Sequence, residues 1–174
     1  YMIAQVAKRI KESGKKLPFG LYIVNAVQEE IGLRGAQMIA ANIKPNAAII
    51  TDVCHDTTAP LYNKVVSGDL SAGKGPVLPV GASVHKKLLD LIIDTAKKKD
   101  IPFQRSAASR VTGTDTDAFA YSNEGVPSAL ISLPLKYMHT TVETASKDDI
   151  EQVINLMYEF LLDFDPTFDF RYIK

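Results

Sequence analysis

The sequence predicts an α/β protein, a layer sandwich of helices around a mostly parallel central sheet, and three observations carry that prediction. Short apolar runs at 21–27, 47–53, 101–108 and 127–134 have the length expected of buried strands, and the first is rich in β-branched and aromatic residues. Longer stretches repeat apolar residues at helical spacing. The two kinds of segment alternate along the chain, as they do in a parallel sheet built with crossover helices. With 174 residues and 46% hydrophobic content, the chain suits one domain with a substantial core.

The elements follow in order. Met2, Ile3, Val6, Ala7 and Ile10 repeat at helical spacing and Gly14 then Pro18 supply a stop, so residues 1–13 read as an amphipathic helix. Leu21 to Val27 is too short for an ordinary helix and reads as a buried strand. Leu33, Ala36, Met38, Ile39, Ala40 and Ile43 form a second helical pattern ending before Lys44-Pro45. The run from Ala47 into Thr51-Asp52-Val53 is the next strand. Residues 54–81, which include "SAGKGPVLPVG", are rich in Gly, Pro, Ser and Thr and predict loops with one or two short strands. A stretch that long is usually functional or an interface. Ser83 can cap a helix running to about residue 99, with Lys97-Lys98-Lys99 in the last turn, where cations suit the helix dipole. "IPFQRSAA" predicts a strand, "DTDAFAYSNEG" a short helix ended by Gly125, "PSALISLP" a strand and residues 147–162 the final helix.

Lys plus Arg and Asp plus Glu number 20 each, so no global field argues for nucleic acid or an anionic membrane. The partner expected is a small molecule, a peptide or another copy of the chain. One cysteine, Cys54, excludes an internal disulfide framework and fits a reducing compartment, with the cytoplasm the first choice. No stretch approaches the roughly 18 apolar residues of a membrane span. The first residues show no basic segment followed by an apolar one, hence no visible export signal. Tyr1 falls inside a helix already under way, which suggests a missing beginning.

Functional sites of open α/β sheets lie outside the carboxyl ends of the strands. That rule picks out Glu29-Glu30 after the first run, Asp52 after the second, and His139 after "PSALISLP". Two oxygen ligands and one imidazole from three strands would suit zinc or a similar divalent ion, leaving the other glutamate as general base. Each residue has a plainer reading. Glu29-Glu30 can be a solvated strand end, Asp52 a turn residue, and His139 a hydrogen-bonded surface histidine. His55 and Asp56 form a competing local cluster in "DVCHD", although ligands so close along a strand exit rarely face one ion. His85 suits a solvated or loop-packing role, and Cys54 a small buried thiol. "GKG" at 73–75 lacks the spacing of a phosphate loop.

"VQEEIGLRGA", "TDVCHDT", "GKGPVL", "TGTDTDAFAYSNEGVPSALISLPLKYMH" and "TTVE", in that order from Val27 to Glu143, resemble the dinuclear-metal aminopeptidases typified by the tetrahedral, dodecameric glutamyl and deblocking aminopeptidases. Some members of that family carry an endoglucanase label. The resemblance implies a zinc-peptidase-like (phosphorylase/hydrolase-like) three-layer sandwich. It implies an enzyme that removes N-terminal residues from short peptides with two divalent ions, zinc or cobalt, and assembles as a homo-oligomer. Carried over position by position, Glu29 matches the general base, Glu30 a ligand of one metal, Asp52 the terminal ligand of the other, and His139 the imidazole that completes the site around the metal of Glu30. The family pattern has two glycines before Thr-Asp, where this chain has Thr112-Gly113-Thr114-Asp115, which puts the shape of the substrate pocket in doubt. An early histidine ligand, a small inserted β domain and a bridging aspartate, all expected upstream of the first helix, are not in this sequence. Residues 1–174 are therefore expected to be the C-terminal part of one metallopeptidase catalytic domain, inactive alone. The competing expectations are a related metal-dependent amidase or deacylase, and a non-catalytic fragment or assembly subunit.

Overall fold

The computed structural model describes residues 1–60 and 62–173. Its elements are α1 (Met2–Ser13), α2 (Arg34–Ile43), β1 (Ala48–His55), α3 (Lys64–Ser67), β2 (Val77–Val80), α4 (Lys86–Lys98), β3 (Gln104–Ala107), α5 (Asp115–Ala120), β4 (Ser128–Lys136), β5 (Thr144–Ala145) and α6 (Lys147–Asp163). The sheet order is β1-β4-β2-β3, with β5 added to β4. β1 runs parallel to β4 from Ala48↔Ser128 to His55↔Leu135, and β2 runs parallel to β3. β2 meets β4 antiparallel through Val77↔Ser132, and β5 closes an antiparallel hairpin on Leu135 and Lys136.

β4 explains the layering. Every residue from Ser128 to Leu135 is buried, so both faces of this strand are covered, as expected of a central strand between two helical layers. α1 packs on α6, α4 packs on α6, and α4 and α6 lie on β4. A second group, α2 on α5, meets β1 and β4 through α5. Leu78, Leu88, Leu89, Ile92, Ile131, Ile154 and Leu156 are fully buried and form the centre of the core. Ser146 caps α6 by accepting from Asp149 N at 3.3 Å, and Arg9 of α1 grips Glu151 of α6 with contacts of 2.7 and 2.8 Å.

Residues 21–27 are not a strand; the chain there is irregular. A strand exists only against a partner, and among the described residues β1 forms its ladder with β4 and stands at the sheet edge. Tyr22, Ile23 and Val27 consequently remain exposed. The expected buried strand is therefore neither a strand nor buried: its apolar composition favours an extended chain, but among the described residues no ladder partner lies beside it. Three further differences are local. α4 begins at Lys86 rather than after Ser83, because the Ser83 hydroxyl donates to Asp117 instead of capping the helix. α5 ends at Ala120, five residues short of Gly125, and Asn123 then takes a left-handed turn with φ 54°. The 54–81 stretch holds one strand, β2, and the single-turn helix α3.

The long stretch from 56 to 75 is held by two buried aspartates. Asp56, 1% exposed, accepts from Thr58 N at 2.7 Å, the Thr58 hydroxyl at 2.5 Å and Ala72 N at 2.9 Å. Asp149, also 1% exposed, accepts from Gly73 N at 2.6 Å and Gly75 N at 2.7 Å. The "GKG" sequence thus serves a carboxylate of the protein's own α6. Gly75 has φ 88°, and a Cβ there would stand 2.3 Å from the Pro102 carbonyl oxygen, so only glycine fits.

Candidate functional site

Glu29 and Glu30 sit in the tight turn that leads into α2. Gly32 N and Leu33 N both donate to the Glu29 carbonyl, at 3.1 and 3.0 Å, and Gln28 just before them is left-handed with φ 60°. The turn cancels the opposite-face rule of an extended chain, which is how neighbouring glutamates come to share one region. Its anchor is Gly35, whose N–H donates to the Val27 carbonyl at 3.0 Å. A Cβ on Gly35 would meet Val27 N and O at 2.5 Å, so the helix can approach the turn this closely only with glycine.

Asp52 comes from β1, which continues three residues beyond it to His55. Its Oδ1 accepts from Val53 N at 2.7 Å. β1 and β4 are parallel, so their carboxyl ends share one edge of the sheet. Beyond that edge the β4–β5 hairpin carries His139, itself left-handed with φ 63°. The Glu143 carboxylate accepts from His139 N and fixes the hairpin tip. His139 Nε2 lies 3.6 Å from Glu30 Oε1, and both side chains are solvent-exposed.

Asp115, at the start of α5, joins this group, although the sequence reading named it only as part of a motif. Its Oδ1 is buried and has no hydrogen-bond partner among the described residues. The signal available in the sequence was "TDTD", in which one aspartate must cap or tie the turn and the other is left over. Asp117 is the tie: it accepts from Thr112 N at 3.1 Å and Gly113 N at 3.0 Å and from the Ser83 hydroxyl.

The electrostatics of the group are those of crowded, undercompensated carboxylates. Burial pushes Glu29 above its ordinary value, and Asp52, Glu30 and Asp115 push it further, against a smaller opposing effect of His139. Burial raises Asp52 as well, countered by the Val53 N–H and His139 and reinforced by Glu30. Asp115 is raised by burial and by Asp52. Glu29 therefore lies within electrostatic reach of Glu30, Asp52, Asp115 and His139, and Asp52 within reach of Glu30, Asp115 and His139. Carboxylate oxygens and an imidazole are the donor types that zinc and similar ions take. The orphaned Asp115 oxygen, beside Asp52, is a further place where positive charge would be welcome. Among the described residues, however, no three His, Cys, Asp or Glu side chains are drawn up at the spacing of a metal site; Glu30 and His139 approach to 3.6 Å.

The remaining candidates are accounted for by packing. Tyr62 Oη stands 2.6 Å from His55 Nδ1, and the His55 ring meets His139 edge to face at 6.3 Å. His55 is lowered by burial and by His139. His85 stacks on Tyr172 with ring centroids 4.7 Å apart. Cys54 is partly buried, and burial, with Asp52, Asp56 and Asp149, pushes its thiol up to about 12, far from a reactive thiolate. No described helix is long and apolar enough to cross a membrane.

Comparison with known proteins adds independent findings. The sequence profile described as M42 glutamyl aminopeptidase matches residues 1–156. A lysyl aminopeptidase of Pyrococcus furiosus is 36% identical over 166 residues, which are 95% of this chain and 46% of that protein. Among solved structures, the TET aminopeptidase from the marine sediment archaeon Thaumarchaeota archaeon SCGC AB-539-E09 superposes with a TM-score of 0.86 at 30% identity, covering 95% of this chain and 46% of the other. PhTET1-12s, a dodecamer in its asymmetric unit, gives 0.76 at 27% identity, over 94% of this chain and 47% of its own. The chain spans about half the length of the curated relatives it matches.

Proposed function

The chain belongs to the M42 glutamyl aminopeptidase family, and on that premise we propose that it serves a metal-dependent aminopeptidase, with Glu29 as general base and Glu30, Asp52 and His139 as metal ligands. The observation that supports this reading is the gathering of Glu29, Glu30, Asp52, Asp115 and His139 beside one sheet edge, where Glu29, Asp52 and Asp115 are raised by burial and by neighbouring carboxylates. Structural carboxylates are normally given donors; these are left wanting positive charge. Glu30 and His139 would hold one ion and Asp52 would offer a ligand to a second, with zinc or cobalt suiting the donor set. When bound, such ions polarise the scissile carbonyl and lower the pKa of water from 15.7 to about 7.

The work of the chain's own groups is then proton handling and orientation. Glu29 accepts the proton that water loses as its oxygen attacks the carbonyl carbon. It returns that proton to the leaving nitrogen as the C–N bond breaks, so the carboxylate is regenerated. A carboxylate whose pKa is raised is a stronger base than an ordinary one and suits the first transfer. The Gly32–Gly35 turn holds Glu29 in place for both. Homo-oligomeric assembly and short peptide substrates belong to the same proposal, supported by the assembled state of PhTET1-12s and by the aminopeptidase names of the relatives. A single cysteine, with no internal disulfide framework, suits a reducing, cytoplasmic setting.

The test is an assay of amino-acid amides beside their N-acetylated counterparts, with added zinc or cobalt, for the full-length protein that contains this chain and for its Glu29→Gln variant. Turnover should require a free amino terminus and a divalent ion, and Glu29→Gln should lose roughly 10² to 10⁴ in rate with metal content unchanged. Preference for the N-acetylated series would make the protein a deacylase instead. Full turnover by Glu29→Gln would remove Glu29 from the role.

A further inference from the structure

A cavity of about 330 Å³ lies at the opposite edge of the sheet from the candidate site, within the size range of small-molecule sites, roughly 300–1,000 Å³. Val126 and Pro127, which line it, lead into the amino end of β4, whereas Asp52 and His139 belong to the carboxyl ends of β1 and β4. His85 N donates to the Ser128 carbonyl at 2.7 Å and fixes the start of α4 beside the cavity.

Two parts of the chain face each other in the lining: the end of α5, through Ala120 and Tyr121, and the segment after α6, through Phe170, Arg171 and Tyr172. The second part lies beyond residues 1–156, the span that the M42 profile matches. It is nevertheless firmly held. The Tyr172 hydroxyl accepts from Lys86 N at 3.0 Å and so caps α4, for which the His85 side chain makes no cap. Lys87 Nζ donates to the Asp169 and Arg171 carbonyls at 3.3 and 2.6 Å. The Tyr172 ring stacks on His85, and Phe170 meets the same imidazole edge to face at 5.5 Å. A wall tied down in this way is formed before any ligand arrives, which lowers the ordering cost of binding.

The polar side chains of the lining are already committed. The Ser83 hydroxyl donates to Asp117 and lies 3.4 Å from Tyr121 Oη. Arg171 Nε and Nη2 donate to Asp169 at 3.0 and 3.1 Å. His85 is lowered by burial and by Lys87, against an opposing hydrogen bond with the Phe170 main chain, so its ring is neutral at pH 7; its Nδ1 has no partner but is buried out of reach. What the cavity offers is ring face and aliphatic surface: Tyr121 and Tyr172, 66% and 62% exposed, with Val126 and Pro127. Flat rings gain more against such faces than their buried area alone supplies.

We propose that this cavity is a binding site for a small, uncharged, flat aromatic molecule, separate from the candidate site and independent of the aminopeptidase reading.

The probe is 2-naphthol, compared with decahydro-2-naphthol, which keeps the carbon skeleton and the hydroxyl but not the flat rings. Equilibrium dialysis against the full-length protein that contains this chain should show saturable binding of 2-naphthol, one molecule per chain, with the saturated alcohol weaker by about fivefold or more. Tyr172→Ala removes one ring face and should weaken 2-naphthol by roughly 3- to 10-fold. Ala82→Trp, at an exposed position of the lining that leaves the core untouched, should fill the cavity and abolish binding. Circular dichroism checks that both variants are folded. No saturable binding, equal affinity for the two alcohols, or 2-naphthol binding that survives Ala82→Trp unchanged overturns the proposal.

Discussion

Asp115 and Asp117 stand two residues apart at the start of α5 and are treated oppositely by the fold. Burial raises both, but Asp117 collects the Ser83 hydroxyl and the N–H groups of Thr112 and Gly113, and ends below the ordinary 3.8. Asp115 has a buried oxygen with no partner and a carboxylate neighbour, and ends above it. The same division separates two regions of the molecule. In the 56–75 loop, Asp56 and Asp149 are nearly invisible to solvent and are satisfied by backbone donors. At the sheet edge, Glu29, Asp52 and Asp115 crowd one another with too few donors. A carboxylate given donors holds structure; one denied them stores affinity for a cation.

The sharpest way to break this comparison is to remove one carboxylate from each region and measure stability without added metal. Asp149→Ala leaves Gly73 N and Gly75 N unpaired in a buried place and should lower stability by about 3 kcal/mol, read as a fall in Tm and in the urea midpoint. Asp56→Ala strips Ala72 N and Thr58 N of their acceptor and should cost about 2 kcal/mol. Gly35→Ala lies between the regions: its Cβ must push the Val27 backbone away, which should cost about 1–2 kcal/mol and lower activity more than stability, because the displaced turn carries Glu29. Asp52→Asn removes a charge from the crowded edge and should have the opposite sign, a gain of no more than about 1 kcal/mol in the metal-free protein, with loss of ion binding. A loss of stability on Asp52→Asn as large as that of Asp56→Ala would erase the distinction.

Acid separates the regions in the same way. Asp56 and Asp117 have depressed folded values, so the stability they contribute is present above 3.8 and is lost as pH falls through those lower values. Glu29, Asp52 and Asp115 have raised folded values, so their ionisation costs stability as pH rises through them, and they take up protons first on acidification. Between neutrality and about pH 4 the Tm increment from added zinc should therefore shrink, while the metal-free protein holds its stability or gains slightly. Thermal unfolding scans with and without zinc across that range check both halves. An ion-induced increment that survived unchanged to pH 4 would show that these carboxylates are not the ligands.

Much of the fold was legible because it depends on local periodicity. The helical repeats of 1–13, 33–43 and 147–162 and the apolar runs of β1 and β4 carry their own burial pattern, and the structure keeps them within a few residues. The run at 21–27 shows the limit. Its composition says extended and apolar, but a ladder is a property of two segments, and no described strand lies beside it. Ser83 shows another: a serine before a helix is a fair cap, yet Asp117, 34 positions away, takes its hydroxyl.

For the candidate site, sequence alone determined the residue types and, through parallel strands, the edge where Asp52 and His139 would emerge. It also supplied the motif order on which the family resemblance rests. Tertiary structure alone decided which acids have partners. "DVCHD", "TDTD" and "SKDD" each offer carboxylates of identical chemistry, and residue type does not distinguish Asp56, Asp117 and Asp149 from Asp52 and Asp115. The difference is made by donors the fold brings to them: Thr58 with the more distant Ala72 for Asp56, Thr112 and Gly113 with the distant Ser83 for Asp117, and the distant Gly73 and Gly75 for Asp149. Sequence sets how much each acid would cost to bury, whereas the folded chain sets whether that cost is met by a donor or left for a cation.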